Sequence, residues 1–155
     1  MNIITKKFLI IILSLILFGC GYTPLYKNTK NLDFSISISD TIGNREVNNL
    51  IKSKLKSYTQ SSNVKKFDIK IITDYQKNII AKDTTGAASE YKIILKAIFQ
   101  ISTSQFNKEI KCEENFNMKS IDDKLEEKDY EQSIKNSLAN IISRKLILQL
   151  SQVKW

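Results

Sequence analysis

The residues best placed to do chemistry in this chain are Leu17-Phe18-Gly19-Cys20, and the chemistry is acylation of a thiol. A small residue directly before a cysteine, after an apolar run from Phe8 to Phe18 and the cations Lys6 and Lys7, has the layout of a bacterial lipoprotein signal. Phe18 is bulkier than the usual residue at its position, but the Leu, Gly and Cys are intact. The apolar run is 11 residues long, well short of the ~20 a membrane-spanning helix needs. Cleavage before Cys20 would expose its sulfur to acyl chains such as palmitate. At about 0.8 kcal/mol per buried methylene, two chains suffice for stable anchoring, and a lipoprotein cysteine normally carries three. Gly21 stands where an aspartate would often retain such a protein in the inner membrane. The expected location is therefore the outer membrane, with the body on the periplasmic side. The expected division is a signal peptide over 1–19, a lipidated tether over 20–31 and a single domain over 32–155.

Little else in the sequence is reactive. There are no histidines, which removes the commonest general base and the commonest metal ligand. No glycine-rich phosphate loop is present, and no metal or other cofactor is expected beyond the lipid on Cys20. The chain is expected not to be an enzyme. With Cys20 acylated, Cys112 has no partner in the chain. It is either a small buried residue on a strand or a thiol that pairs with another molecule. The 24 Lys and Arg against 16 Asp and Glu give a net charge of +8. A basic surface suits an anionic partner. An envelope location argues against nucleic acid, and general lysine richness is the alternative explanation.

The elements that must position any site follow from periodicity. Leu32, Phe34, Ile36 and Ile38 alternate with polar residues as a half-buried strand, broken at Gly43-Asn44. Asn44 can cap a helix whose apolar stripe is Val47, Leu50, Ile51, Leu55 and Tyr58. After a polar turn over 60–63, Phe67, Ile69, Ile71 and Thr73 alternate into a second strand, with Ile79-Ile80 a possible extension. A strand, a helix and a strand in succession favour parallel pairing of the two strands. Asp83 to Ser89 is expected to be a mobile loop. A third strand places Tyr91, Ile93, Leu95, Ala97, Phe99 and Ile101 on one face, and its other face is only half polar because of Ile94 and Ile98. The fourth carries Ile110, Cys112, Phe116 and Met118 with Glu114 as the odd member. Ser120 to Asp123 has capping-box spacing, and a helix is expected from about 123 to 151, with Tyr130, Ile134, Leu138, Ile141, Ile142 and Leu146 as its stripe. The fold class is α+β: a two-layer sandwich of order β-α-β-β-β-α, with a four-stranded mixed sheet and two helices on one face.

Cys20-Gly21-Tyr22-Thr23-Pro24-Leu25-Tyr26, this element order and the last helix together resemble the LPS-assembly lipoprotein family, LptE or RlpB. Ala88-Ser89-Glu90-Tyr91-Lys92-Ile93 is similar to the start of the family's third strand, and Leu138 to Leu146 to its terminal helix. The absence of glycine between Ser104 and Lys108 is a departure. The resemblance implies a non-enzymatic plug inside the lumen of the outer-membrane β-barrel LptD, helping to place lipopolysaccharide in the outer leaflet and binding it. It implies lipopolysaccharide contacts at Lys82, Lys92 and Lys128. Tyr22, Tyr26, Ile94 and Ile98 are the candidate partner interface, the tyrosines at headgroup level or packed on protein. The alternative is an outer-membrane lipoprotein adaptor of another lipid-transport or envelope complex. A small hydrolase using Asp or Glu has less to stand on.

Overall fold

The computed structural model describes residues 34–59 and 65–153. Four strands, β1 (Phe34–Gly43), β2 (Lys65–Lys82), β3 (Ala88–Ser102) and β4 (Asn107–Lys119), form one sheet in the order β1-β2-β3-β4. β1 runs parallel to β2, and the other neighbours are antiparallel. Helix α1 (Arg45–Thr59) links the parallel pair and α2 (Lys124–Ser151) follows β4. Order and layers agree with the periodicity.

Alternation in the strands sets the core. Phe34, Ile36, Phe67, Ile69, Ile71, Ile93, Leu95, Ala97, Phe99, Ile101, Ile110, Cys112 and Met118 are buried on the side covered by the helices. Val47, Ile51 and Leu55 of α1 and Ile134, Leu138, Ile142, Leu146 and Leu150 of α2 close over them. Each such side chain removed from water contributes about 1.5–3 kcal/mol. Phe34 and Phe67 meet edge to face, with centroids 5.4 Å apart.

The corner between β1 and α1 has a specific chemistry. Gly43 has φ +98°, and a Cβ built there would lie 1.8 Å from the Thr73 carbonyl oxygen. Only glycine lets the two strands come that close while the chain turns. Asn44 accepts from the Val47 amide at 3.0 Å, the expected cap. Behind it the buried Asn48 amide donates to the Ile42 carbonyl at 3.1 Å, and the Thr73 hydroxyl donates to Asn48 Oδ1 at 2.9 Å.

Some expectations fail for tertiary reasons. β2 is 18 residues long and runs on through Ile79-Ile80 to Lys82, because β3 pairs with it that far. The segment expected to be a mobile loop is a tight hairpin turn. Asp83 accepts from the Thr85 and Ala87 amides and the Thr85 hydroxyl, with Gly86 at φ +86°. The α2 cap is Asp123, accepting from the Leu125 and Glu126 amides, and not Ser120. Ser120 instead donates to Glu127 Oε2 at 2.9 Å. Phe116, Tyr130 and Ile141, assigned to core stripes, are 38–40% exposed. They lie where α2 runs beside the edge strand β4, and the Phe116 and Tyr130 rings meet edge to face at 6.4 Å.

Candidate functional site

The helix-free face of the sheet is the first candidate. Parallel pairing sets Ile42 beside Ile72, and antiparallel pairing sets Ile72 beside Ile98. With neighbouring strands about 4.8 Å apart, the three side chains form one row across the sheet, and Ile94 stands four residues along from Ile98. Ile42 is 47% exposed, while Ile72, Ile94 and Ile98 are half-buried. Ion pairs rim the row: Lys70 with Asp40 at 3.2 Å, Lys96 with Glu113 at 3.8 Å, and Lys111 with Glu109 at 3.2 Å. At the end of this face Asp68, Lys70, Gln100, Asn107 and Glu109 line a shallow groove of about 510 Å³ with both signs of charge. An apolar centre with a charged rim is the anatomy of a protein contact surface.

The lysines expected to meet a ligand do not converge. Lys92 is half-buried on the helix-free face, opposite Asn78 and Asn117. Lys128 is exposed on α2, which covers the other face, so the sheet stands between them. Lys82 ends β2 at the hairpin turn, opposite Ala88. Among the described residues none of the three is in an ion pair. Tyr22, Tyr26 and Cys20 lie outside the described residues, as do the tether and the turn over 60–63. Cys112 is buried, and burial pushes its thiol up, with Lys145 opposing.

A polar cluster between β2 and α2 has no counterpart in the sequence reading. Glu131 Oε1 accepts from the Tyr75 hydroxyl at 2.7 Å, and its Oε2 meets Lys77 Nζ at 2.9 Å. Lys77 also reaches Glu127 at 3.1 Å and lies 4.1 Å from the Tyr91 ring centroid. Lys135 bridges Glu131 and Glu46, both at 3.0 Å, tying α2 to α1. Burial works against charge on Glu127, but Ser120, Lys77 and the Ile121 amide outweigh it and hold its carboxyl at about 2. Burial likewise opposes charge on Glu131, and bonds from Tyr75, Lys77 and Lys135 bring it to about 2. Burial and the Glu131 carboxylate push the Tyr75 phenol up. Every acid in the cluster is matched by a donor, and the bonds hold the two layers together. Tyr75, Lys77, Glu127 and Glu131 each interrupt an apolar pattern, and that interruption is the signal that could have found them.

Among the described residues no helix is long and apolar enough to cross a membrane, and no cluster of residues is arranged to hold a metal ion.

No family model and no curated protein matches the sequence. The fold does have solved counterparts. Rare lipoprotein B from Shewanella oneidensis is similar with a TM-score of 0.59 at 13% identity, over 76% of this chain and 92% of that one. Lipoprotein B from Nitrosomonas europaea is similar with a TM-score of 0.53 at 11% identity, over 81% of this chain and 90% of that one. At such identities the likeness is one of fold.

Proposed function

We propose that this chain is an outer-membrane lipoprotein of the LptE (RlpB) type, acylated on Cys20, that plugs the barrel LptD and supports delivery of lipopolysaccharide to the outer leaflet. The observation that carries this reading is a conjunction. A lipobox followed by Gly-Tyr-Thr-Pro-Leu-Tyr stands before a body whose fold is that of a rare lipoprotein B. The motif and the fold are read from different residues, the motif from 17–26 and the fold from residue 34 onward.

The geometry is suited to the role. A plug must present more than one contact side and keep its shape while held. The isoleucine row offers a flat apolar contact on the helix-free face. The opposite layer offers Tyr130, Ile141 and Leu148 along the outer flank of α2, with Phe116 beside them. The β2–α2 ion-pair cluster makes the body rigid between the two. Lys92 on one side and Lys128 on the other are then separate points for anionic groups of the glycolipid.

Extraction of the native protein in mild detergent tests the reading. The expected result is a stoichiometric large β-barrel among the copurifying proteins, and depletion of the chain should lower lipopolysaccharide at the cell surface. Copurification with a permease, an ATPase or a secretin in place of a barrel would favour the adaptor role instead. Cys20→Ser should leave the precursor uncleaved, and normal processing of that variant would remove the lipid anchor from the proposal.

A further inference from the structure

Charge is distributed unevenly along the strand axis. From Val47 to Phe67 the sequence holds five lysines and no acid. The fold gathers much of this at one end. Because β1 and β2 are parallel, α1 must run back along the sheet, so its last turns return toward the end where β1 begins. Phe34 is paired with Lys65, and the hairpin between β3 and β4 closes at the same end, with Ser102 opposite Asp68. Lys56, Lys66 and Lys108 are exposed there, and Lys52 is exposed one turn up α1, while the exposed acids of this end are Asp68 and Glu109, the latter paired with Lys111 at 3.2 Å. Lys66 has only a long 4.0 Å pairing with Asp68, both side chains being more than half exposed. Lys52, Lys56 and Lys108 are in no ion pair among the described residues. The opposite end is mixed: Asp122, Asp123, Glu126 and Asp129 are exposed around the start of α2, and Lys82, Lys119, Lys124 and Lys128 are exposed among them.

The basic end is also the end at which the chain arrives from Cys20, fourteen residues before Phe34. We propose that, before a barrel takes up the body, its Phe34 end docks through Lys52, Lys56, Lys66 and Lys108 on the headgroups of an anionic phospholipid bilayer and sets the body upright on it. The orientation rests on the anchor at Cys20, but the charge complementarity does not. Each lysine brought within a Debye length of such a surface adds about fivefold to the population of the docked state.

The test uses the mature protein purified from cells, in a Cys112→Ala background, labelled at Ser57→Cys near the basic end or at Thr85→Cys in the far hairpin turn. Both positions are exposed. It is mixed with vesicles of phosphatidylcholine alone or with phosphatidylglycerol added, both carrying a headgroup quencher. The expected result is flotation with both vesicle types, with quenching at position 57 rising several-fold on the anionic ones. That rise should be lost in high salt or when Lys52, Lys56 and Lys66 are changed to Glu, and position 85 should stay unquenched. Flotation with both types but equal quenching at 57 would overturn the docking and leave the anchor standing. Flotation only with anionic vesicles, with quenching at 57, would keep the docking and discard the anchor. Flotation with neither would end both.

Discussion

Glu131 on α2 accepts the phenolic hydrogen of Tyr75 on β2 at 2.7 Å, across 56 positions of sequence. The same carboxylate holds Lys77 and Lys135, so one side chain joins the long strand, the long helix and, through Glu46, the short helix. This cluster closes the half of the β2–β3 hairpin that extends past the end of β1. There the apolar core thins, and polar pairing takes over the joining of the layers.

Tyr75→Phe removes one donor from a carboxylate that is 17% exposed as a side chain. The expected loss is about 1.5–3 kcal/mol, the range for a hydrogen bond to a charged group. Urea unfolding should show a lower midpoint with an unchanged slope. An unaltered midpoint would mean that water replaces the phenol at no cost.

Acid should weaken the fold through the same cluster. Glu127 and Glu131 stand at about 2 in the folded protein against an ordinary glutamate value of 4.5. The unfolded chain therefore binds protons first as pH falls. The stabilisation from these two groups is fully present above 4.5 and is lost progressively between 4.5 and about 2. Unfolding midpoints measured across that window should fall for the native chain and fall less steeply for Glu131→Gln.

Gly43→Ala is expected to be among the most damaging single changes, costing more than about 2 kcal/mol. A methyl group would meet the Thr73 carbonyl, which is backbone and cannot swing aside, and φ is positive. Gly86→Ala, also at positive φ but with nothing within 4 Å, should cost about 1 kcal/mol. Thermal melts of the pair separate the crowding from the backbone strain.

Lys92 and Lys128 lie on opposite layers, which predicts independence. Lys92→Glu and Lys128→Glu should each weaken binding of lipopolysaccharide by the purified protein, and the double variant should show the product of the two factors. Strong coupling between them would place both on one headgroup and contradict the geometry. In contrast, Ile42→Thr on the helix-free face should leave stability within about 1 kcal/mol, since the side chain is 47% exposed on an edge strand and threonine keeps the β-branch, while reducing recovery of the copurifying barrel.

The sequence alone specified whatever depends on neighbours a few residues apart. Alternation over two residues located the strands, a stripe at helical spacing located α1, and Asn44 beside Gly43 marked its start. The lipobox is equally local, since a short run of side chains is what processing reads. The length of β2 was legible only in part: Ile79-Ile80 pointed to an extension, but from Asp74 onward apolar and polar residue types cease to alternate, and pairing with β3 keeps the chain extended as far as Lys82. The cap of α2 was ambiguous within the local sequence: Ser120 and Asp123 are both able to cap, and Glu127, seven positions on in the first turn of the helix, engages the serine. Of the isoleucine row only Ile94 and Ile98 were legible, as apolar residues on the wetter face of β3, and which elements the Tyr75–Glu131 cluster would join was not. Side chains from separate elements interact only when register and layer packing bring them together, and no spacing along the chain records which strand will lie beside which.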